Sequence, residues 1–559
     1  MKGSEALIKC LEYEGVKTVF GYPGGTVLGL YEALRHSSIH NVLTRTEQGA
    51  AHAASGYARI AGMPGVCIAT SGPGATNLVT GIATAFMDSI PMVAITGQVP
   101  KSIVGTDAFQ EVDITGITKP ITKHNYLVTE ANQIPQIVRE AFHIASTGRP
   151  GPVLIDLPKD VADSECTAKI PGQIDLPGYK PTIKGHPSQI KLACKILNQS
   201  KKPVIYVGGG IVHSGAEALL LELSERLDAP VAVTLMGKGA FPYKNNLYMG
   251  MVGIHGCPAA NIAVCNCDVL LAIGARFDDR VTSNMPDFAS NAQIIHIDVD
   301  PAEIGKNIIP KVPIVGDAAS IIKDMLKCLN QASHPEWLAQ VEAWRPTEQG
   351  VYYEGKDDEA LTMRKVLHQL SEMTRDNVIV TTDVGQHQMV AAQFYKARRA
   401  KGFISSGGLG TMGYGLPAAV GAQLASPESI VFCVTGDGSF QMTFNELATA
   451  SAENLPIKVL LFNNNNLGMV RQLQKFYMKE NYYSVDMPGN PDFIKLAQAY
   501  GMETYTMEHT GQIQEILAEA MDNNKATLIE CKVSCEEMVY PVVLCGRSID
   551  EMILFKGDK

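Results

Sequence analysis

Short apolar segments recur along the whole chain and alternate with longer segments of helical periodicity. Most are bounded by glycine or proline, and examples are PGVCIAT, GPVLIDL, KPVIYVG, CDVLLAIG, SIVFCVTG and IKVLLFN. Continuous apolar runs that are separated by helices are typical of parallel strands whose sheet is covered on both faces. The pattern therefore predicts an α/β fold built from doubly wound parallel sheets.

Two stretches interrupt this alternation and divide the chain. Residues 163–187 are rich in proline, glycine and lysine, and residues 330–358 contain both tryptophans. A chain of 559 residues is too long for one hydrophobic core, since domains average about 150 residues. We interpret both stretches as linkers, which predicts three domains at 1–163, 188–328 and 358–545.

The composition indicates a globular protein with an acidic balance. Hydrophobic residues make up 46% of the chain, and the net charge is −10. This balance argues against a nucleic-acid-binding protein, and no basic run marks a membrane surface. The twelve cysteines are scattered without metal-ligand spacing, which favours reduced thiols. With no signal-peptide pattern and no long apolar run, we expect a cytoplasmic enzyme that handles anionic metabolites.

Oxygen-bearing side chains follow two successive predicted strands. Asp437 stands between Gly436 and Gly438 directly after SIVFCVTG, and four asparagines, 463–466, follow the next strand. Open parallel sheets bind ligands at the carboxyl ends of their strands. Carboxylate and amide oxygens suit a hard divalent cation. Taken alone, GDG is more often a tight turn, but the strand–helix–strand spacing predicts a magnesium ion that holds a diphosphate.

A competing motif lies upstream. GLGTMG, from Gly408 to Gly413, fits the G-x-G-x-x-G pattern of dinucleotide-binding folds. A single match is a weak signal. The acidic residue that such a fold needs at the end of the next strand is Asp437, which the cation site already uses.

The combination of GDG with the asparagine pair resembles the signature of thiamine diphosphate enzymes. The resemblance implies that Asp437, the Asn464 side chain and the Asn466 main-chain carbonyl hold Mg²⁺. It also implies that Gly410 offers its carbonyl to the aminopyrimidine ring, with Met412 as the apolar wedge that bends the cofactor. Further residues implied at this cofactor are Gly24, Gly25, Gln386, His387, Gly436, Gly438, Ser439 and Met469.

Glu47 is the acid that this resemblance places against the pyrimidine ring. It is the only acidic residue between His40 and Asp88 and precedes a helix of small residues. The alternative interpretation is a helix N-terminal charge. In thiamine diphosphate enzymes this glutamate and the metal ligands belong to different subunits, which implies at least a homodimer, with dimer and tetramer left open.

The resemblance extends over almost the whole chain to the catalytic large subunits of acetohydroxyacid synthases (acetolactate synthases). It rests on GYPGG, RTEQGAAHAASGYAR, SGPGATN, GTDAFQE, GRPGPVLIDLPKDV, GARFDDRVT, HIDVDPAEIGKN, DVGQHQM and LGMVRQ, in this order. It implies decarboxylation of pyruvate on thiamine diphosphate and ligation of the hydroxyethyl unit to a second 2-keto acid. Pyruvate then gives 2-acetolactate and 2-ketobutyrate gives 2-aceto-2-hydroxybutyrate, in branched-chain amino acid biosynthesis. A small regulatory subunit is a further partner that the resemblance allows.

The segment ARFDDRVT implies a bound FAD, although this family's reaction has no net redox step. The alternative interpretation of this segment is a surface ion-pair cluster. Glycine-rich backbone after a strand suits phosphate, which supports residues 208–210 independently. The residues implied at the flavin are Arg149, Gly208, Gly209, Gly210, Thr234, Leu235, His255, Gly274, Arg276, Arg280, Asp298 and Asp317.

Four residues are expected to meet substrate. The resemblance places Phe109 and Gln110 beside the reacting carbon, and it suggests Lys123 and Arg280 for the substrate channel. The chain departs from the family at Leu473, where a tryptophan usually follows the motif MVxQ. That tryptophan favours 2-ketobutyrate, so the leucine predicts a weaker preference for this acceptor.

Two rival functions remain at this stage. The first is a thiamine-dependent pyruvate oxidase or another 2-keto acid decarboxylase, which would lack ARFDDRVT and GMVRQ together. The second is a cofactor-binding protein without catalysis, against which the presence of Glu47, Asp437 and Asn464 argues.

Overall fold

The computed structural model describes residues 1–345 and 360–555. Three six-stranded sheets follow one another along the chain, every strand pair within them is parallel, and helices connect the strands. This architecture confirms the predicted fold class. We name the units that contain these sheets the first, second and third domain.

The first domain carries the sheet order β2-β1-β3-β4-β6-β5. Its strands are β1 (Thr18–Tyr22), β2 (His40–Leu43), β3 (Gly65–Ala69), β4 (Met92–Gln98), β5 (His124–Leu127) and β6 (Pro152–Pro158). Its helices are α1 (Gly3–Tyr13), α2 (Leu28–Arg35), α3 (Glu47–Ala61), α4 (Pro73–Asn77), α5 (Val79–Met87), α6 (Ile114–Thr118), α7 (Ile134–Ser146) and α8 (Lys159–Asp163). The central strands β3, β4 and β6 are buried along their full length, as their continuous apolar sequences predict.

The second domain carries the order β12-β11-β10-β7-β8-β9. Its strands are β7 (Pro203–Val207), β8 (Val231–Val233), β9 (Tyr248–Met251), β10 (Val269–Ile273), β11 (Gln293–Asp298) and β12 (Val312–Val315). Its helices are α9 (Pro187–Leu197), α10 (Gly209–Ser214), α11 (Glu217–Leu227), α12 (Pro258–Asn266), α13 (Asp279–Thr282), α14 (Ala318–Leu326) and α15 (Pro335–Ala343).

The third domain carries the order β14-β13-β15-β16-β18-β17 and a small antiparallel pair, β19 with β20. Its strands are β13 (Val378–Thr382), β14 (Phe403–Ile404), β15 (Ile430–Gly436), β16 (Lys458–Asn463), β17 (Glu503–Met507), β18 (Thr527–Lys532), β19 (Val542–Val543) and β20 (Met552–Ile553). Its helices are α16 (Met363–Met373), α17 (Gln386–Phe394), α18 (Gly415–Ala425), α19 (Asp437–Phe440), α20 (Leu447–Ala452), α21 (Gly468–Tyr477), α22 (Phe493–Ala499) and α23 (Ile513–Asp522).

Each six-stranded sheet lies within one of the three predicted domain ranges, whose end points stay predictions, while β20 of the small antiparallel pair lies beyond residue 545. Helix α15 occupies part of the stretch that we interpreted as the second linker, and the rest of that stretch, from residue 346, lies outside the described residues. Trp337 of α15 is buried and donates its indole N–H to the Pro203 carbonyl at 3.0 Å. This portion of the stretch therefore packs on the second domain.

Helices α3 and α18 join the first domain to the third within the chain. Their contact is lined by glycine and alanine, so the two backbones approach closely. A Cβ atom at Gly56 would overlap the Ala418 backbone, and one at Gly421 would overlap the Ala53 carbonyl. Because neither glycine has room for a side chain, this interface depends on both of them.

Across the described ranges 1–345 and 360–555, no helix combines the length and apolar character that are needed to cross a lipid bilayer.

We expect Gly421→Ala to destabilise the chain. The added methyl group stabilises the helix itself by roughly 1 kcal/mol. Overpacking a close contact, however, lowers the free energy of unfolding by about 1–3 kcal/mol, and at Gly421 the overlap is with backbone atoms that cannot move aside easily. Thermal unfolding monitored by circular dichroism should give a lower midpoint than wild type. Gly511→Ala is the matched control, since a Cβ atom there meets nothing within 4 Å; equal midpoints for the two variants would contradict the expectation.

Candidate functional site

The two polar strand ends singled out in the sequence lie side by side. Strands β15 and β16 pair in parallel with Gly436 opposite Phe462, so Asp437 and Asn464 follow neighbouring strands at one edge of the sheet. Asp437 is buried, and its Oδ2 atom accepts a hydrogen bond from the Asn490 side chain at 2.8 Å. Burial raises the pKa of the Asp437 carboxyl group, so a nearby cation would stabilise its charged form.

The four asparagines take different positions. Asn463 donates to Glu530 on β18 at 2.7 Å and so serves the sheet. Asn465 has a positive φ of 52°, which turns the chain back, and Asn464 Oδ1 accepts from the Asn466 N–H at 3.0 Å. The Asn466 side-chain oxygen is buried without a hydrogen-bond partner. The turn therefore brings Asn464 and Asn466, the two predicted ligands, to the cavity described next.

Three helices begin at one cavity of about 90 Å³ at this sheet edge. They are α17, α19 and α21, and the first residues of each line the cavity. The free N–H groups and positive ends of helix dipoles make such a place suitable for an anion. The lining residues are Met363, Val384, Gly385, Gln386, His387, Met412, Gly436, Asp437, Gly438, Ser439, Phe462, Asn464, Asn466, Leu467, Gly468, Met469 and Val470.

The cavity wall offers unpaired polar atoms and room for a close ligand. Gln386 Oε1 and His387 Nε2 are buried without partners, and burial lowers the pKa of His387 to about 3, which keeps its ring neutral. A Cβ atom at Gly436 would lie 2.8 Å from the His387 ring, and one at Gly438 would lie 2.7 Å from Leu467. Only glycine, which has no side chain, leaves this part of the cavity open at positions 436 and 438. The His387 ring nitrogen and the helix N–H groups suit an anion such as a diphosphate, and the unpaired Gln386 oxygen suits a cation or a donor group beside it.

The GLGTMG segment packs beside this cavity as a loop. Gly410 has a φ of +69°, and Met412 lines the cavity. Asp383, at the end of β13, accepts hydrogen bonds from the N–H groups of Gly413 at 2.8 Å and Gly415 at 3.3 Å. The segment thus leads into α18 in a place consistent with the predicted contacts to a pyrimidine ring.

Glu47 lies in the first domain, away from the cavity of its own chain. It is the first residue of α3, its Oε2 atom accepts from Asn77 at 3.0 Å, and Thr46 caps the helix by accepting the Gly49 N–H. All the described residues that line the cavity belong to the third domain. Gly24 and Gly25, which follow β1, are also outside it. The structure of one chain therefore does not bring Glu47 together with Asp437.

Glu446 is a site residue that sequence reasoning missed. This buried carboxylate of the third domain accepts from the Arg45 N–H at 3.1 Å and from the Thr46 N–H at 3.0 Å. It also accepts from the Thr449 hydroxyl at 2.6 Å, and burial raises its pKa. It holds the turn that precedes Glu47. No local sequence signal pairs these segments, which are 400 residues apart.

Phe109 and Gln110 project from an exposed loop of the first domain. The Phe109 side chain is 89% exposed, and Gln110 has a positive φ of 58°. Glu111 organises the loop by accepting N–H groups from Gly105 and from Ala108, and these bonds lower the pKa of its carboxyl group. Gly72 allows the close approach, since a Cβ atom there would lie 2.7 Å from the Gln110 carbonyl oxygen.

Lys123 is engaged at the end of α7. Its ammonium group donates to the carbonyl of Ile144, to that of Thr147 at 2.7 Å and to the Tyr179 hydroxyl at 2.8 Å. Burial lowers the pKa of Lys123 to about 8. These contacts account for the side chain structurally, so its predicted place in a substrate channel stays a prediction without support from this chain.

A larger cavity of about 480 Å³ lies between the first and second domains. Seven of the residues predicted for a flavin line it: Arg149, Gly209, Gly210, Gly274, Arg276, Asp298 and Asp317. Gly208 stands at its edge, where a Cβ atom would overlap the Gly274 carbonyl, and Gly274 itself has a φ of +57°. The close approach of these two loops explains the glycine-rich sequence.

Charged groups of both signs face this larger cavity. Arg149 is oriented by Ser89 at 2.8 Å and Glu303 at 2.6 Å. Burial raises the pKa of Asp298 to about 6. Asp317 caps α14 by accepting the Ser320 N–H at 2.9 Å. A dinucleotide such as FAD needs cationic side chains that bind its phosphates and carboxylates that accept hydrogen bonds from its ribose hydroxyls. This cavity offers both kinds of group.

Four other residues predicted for the flavin lie away from this cavity. Thr234 accepts the Gly237 N–H at 3.1 Å, and Leu235 lines a smaller adjoining cavity of about 160 Å³. His255 contacts the Pro541 carbonyl, with its pKa lowered to about 4 by burial. The Arg280 side chain is 74% exposed and pairs with Asp279, as in the alternative of a surface ion pair.

Three stretches of the chain match families of thiamine pyrophosphate enzymes. Residues 1–117 match the family described as "Thiamine pyrophosphate enzyme, N-terminal TPP binding domain". Residues 190–325 match the central domain of these enzymes, and residues 383–531 match their C-terminal TPP binding domain.

Individual relatives extend the similarity to the full chain. The chain is 49% identical to the probable acetolactate synthase large subunit of Methanocaldococcus jannaschii, over 98% of the chain and 94% of the relative. It is 47% identical to the acetolactate synthase of Mycobacterium leprae, over 100% and 91%. It is 46% identical to the acetolactate synthase large subunit of Pyropia yezoensis, over 99% and 95%.

We expect Asn490→Ala to weaken metal binding because it removes the partner that orients Asp437. Loss of a group that orients a metal ligand typically costs about 10–100-fold in affinity or activity. The Mg²⁺ concentration for half-maximal turnover should rise by about tenfold or more. Gln498→Ala, which removes an exposed amide bonded to Thr504 in the same domain, is the control. An unchanged Mg²⁺ requirement in Asn490→Ala would contradict the expectation.

Proposed function

The chain belongs to the acetolactate synthase large-subunit family of thiamine pyrophosphate enzymes, and we propose that its third-domain cavity holds the cofactor diphosphate through Mg²⁺. The reaction joins two molecules of pyruvate to give 2-acetolactate, or pyruvate and 2-ketobutyrate to give 2-aceto-2-hydroxybutyrate, with loss of carbon dioxide. The observation that carries the proposal is the meeting of three helix N-termini with Asp437, Asn464 and Asn466 at one sheet edge.

The residues of the cavity divide the work of holding the cofactor. Asp437, the Asn464 side chain and the Asn466 carbonyl take the metal, while the N–H groups at the starts of α17, α19 and α21 take phosphate oxygens. His387 has an unpaired ring nitrogen that can donate to a further phosphate oxygen, whereas the unpaired Gln386 oxygen is an acceptor that suits the cation or a donor on the cofactor. When bound, thiamine diphosphate supplies a nucleophilic ring carbon and an electron sink for the decarboxylation of a 2-keto acid.

Glu47 serves the cavity of a second protomer. Its carboxyl group would hold and exchange a proton with the pyrimidine ring nitrogen there, and Gly410 and Met412 of the second protomer would hold the ring from the other side. The separation of Glu47 from the cavity of its own chain supports this arrangement. Apolar side chains left exposed near both places, among them Phe109, Leu409 and Met442, suit coverage by a second copy.

Phe109 and Gln110 then complete the substrate pocket from the first domain. The 105–111 loop is held by its own hydrogen bonds to Glu111, so these two side chains are presented before the protomers meet. Phe109 excludes water from the reacting carbon, and the Gln110 amide orients the keto group of the acceptor.

The cavity between the first and second domains would hold FAD, with Arg149 and Arg276 available for its diphosphate and Asp298 for a ribose hydroxyl. The lining by seven predicted residues supports this assignment. The flavin has no redox step in this reaction, so we assign it a structural role at the junction of the two domains.

Two further assignments follow from the relatives and from the thiols. The Methanocaldococcus jannaschii and Pyropia yezoensis relatives are named large subunits, which supports a smaller regulatory partner chain. All twelve cysteines are unpaired, which supports a reducing, cytoplasmic location.

We expect Glu47→Gln to bind thiamine diphosphate with Mg²⁺ as wild type does but to lose at least about 99% of its turnover, since general acid–base catalysis contributes about 10²–10⁴-fold. Calorimetric titration measures the binding, and colorimetric detection of 2-acetolactate measures the turnover. Wild-type turnover in Glu47→Gln would remove the residue from this role. Acetate or acetaldehyde as the main wild-type product would instead favour a pyruvate oxidase or decarboxylase.

We expect Leu473→Trp to increase the preference for 2-ketobutyrate over pyruvate as acceptor. Leu473 is 47% exposed on α21, the helix that begins at the cavity, so a large flat side chain there adds an apolar wall for the extra methylene. One methylene contributes about 1–3 kcal/mol of discrimination, so the product ratio should rise about tenfold. Leu192→Trp, exposed to 42% in the second domain, is the control. A strong 2-ketobutyrate bias in wild type would refute the role of Leu473.

A further inference from the structure

Helix α5 of the first domain ends against the GLGTMG loop of the third domain. Thr84 in its last turn and Asp88 directly after its end both bond to this loop. Neither residue was singled out for function in the sequence. Their contacts matter because the loop carries Gly410 and Met412, which the proposed function places on the cofactor pyrimidine.

Asp88 is a fully buried carboxylate with a donor on each oxygen. Its Oδ2 atom accepts from the Arg59 guanidinium at 2.6 Å, and its Oδ1 atom accepts from the Gly408 N–H at 2.6 Å. Hydrogen bonds to an ionised acceptor are among the stronger ones in proteins. The first domain therefore anchors the start of the loop by a charged bond that is shielded from water.

Thr84 anchors the loop at a second point. Its hydroxyl is 2.7 Å from the Thr411 hydroxyl, and the Thr411 N–H donates to the Ser406 hydroxyl, just before the loop, at 3.0 Å. The anchored residues 408 and 411 flank Gly410. Because a segment held on both sides of one residue has little freedom between them, these bonds set the direction of the Gly410 carbonyl.

The approach of the loop to α5 is close at Gly408. A Cβ atom there would lie 2.8 Å from the Met87 carbonyl oxygen and 2.9 Å from Asp88 Oδ1. Arg59 in turn lies over the ring of Tyr414, which directly precedes α18. The loop is thus seated on the first domain of its own chain from Gly408 to Tyr414.

We propose that Asp88, assisted by Thr84, is a positioning residue that holds the loop 408–411 of its own chain in the conformation that receives the cofactor pyrimidine. The proposal rests on the function proposed above. It gives the first domain two tasks in two different sites: Glu47 acts in the cavity of the other protomer, while Asp88 prepares the cavity of its own chain.

Binding of thiamine diphosphate with Mg²⁺ to the purified variants, measured by calorimetry, tests the proposal. Asp88→Asn meets two donors with only one oxygen, so one bond must be lost, and we expect affinity to fall by about tenfold or more. Thr84→Val, which keeps the side-chain shape and removes only the hydroxyl, should lower affinity severalfold. It keeps the test informative if Asp88→Asn folds poorly.

Glu14→Gln is the matched control. It breaks a partly buried carboxylate–arginine pair, with Arg139, in the same domain but away from the loop. The thermal midpoint of the cofactor-free chain should fall in both Asp88→Asn and Glu14→Gln, whereas the affinity should fall only in Asp88→Asn. Equal affinities in these two variants would reduce Asp88 to a stabilising residue and overturn the proposal.

Mixed dimers decide in which site Asp88 acts. A dimer of one Glu47→Gln protomer and one Asp88→Asn protomer, isolated with two different tags, should keep one intact site and about half of wild-type turnover. With thiamine diphosphate held at the concentration that half-saturates wild type, turnover well below half would mean that Asp88 serves the same site as the Glu47 of its own chain, which overturns the proposal.

A second mixed dimer separates this outcome from a failure of the proposed function. Glu47→Gln paired with Asp437→Asn should also keep one intact site if the sites are shared between protomers. If this dimer is inactive, the shared-site arrangement is wrong, and the affinities of Asp88→Asn and Glu14→Gln still decide whether Asp88 positions the loop.

Discussion

The pairing of β15 with β16 is the interaction on which the site depends. Because the strands are parallel and adjacent, their carboxyl ends bring Asp437 and Asn464 to one edge, and the connections after them start α19 and α21 at the same place. Helix α17 adds a third N-terminus. Backbone dipoles thus create a positive potential locally in a chain whose net charge is −10.

The contact between α3 and α18 determines how the domains divide their tasks. Glycines at both backbones allow the first and third domains of one chain to pack without a gap. This packing leaves Glu47 outside the cavity of its own chain, while Glu446 holds the turn before it. At the other end of the contact between α3 and α18, Asp88 accepts a hydrogen bond from Gly408 of the GLGTMG loop, which lies beside the cavity. One interface therefore supports both Glu47 and the GLGTMG loop.

The motifs predicted the parts of the site that lie close together along the chain. Asp437 follows one strand and Asn464 the next, so parallel topology alone brings them together. Of the residues predicted for a flavin, those at glycines or strand ends, such as Gly210, Gly274 and Asp298, lie together on the wall of the larger cavity. Arg280 lies away from that wall, as an exposed side chain whose position no strand end constrains.

The sequence by itself determined the three parallel sheets and the positions of their polar strand ends, because apolar runs and glycines act locally on the backbone. Only the tertiary structure decided that Glu446 holds the turn before Glu47, that Asn490 orients Asp437 and that Asp88 anchors the GLGTMG loop. These partners are separated by 53 to 400 residues. Their identity as ordinary Asp, Glu or Asn residues carries no signal until the domains pack and burial makes each hydrogen bond obligatory.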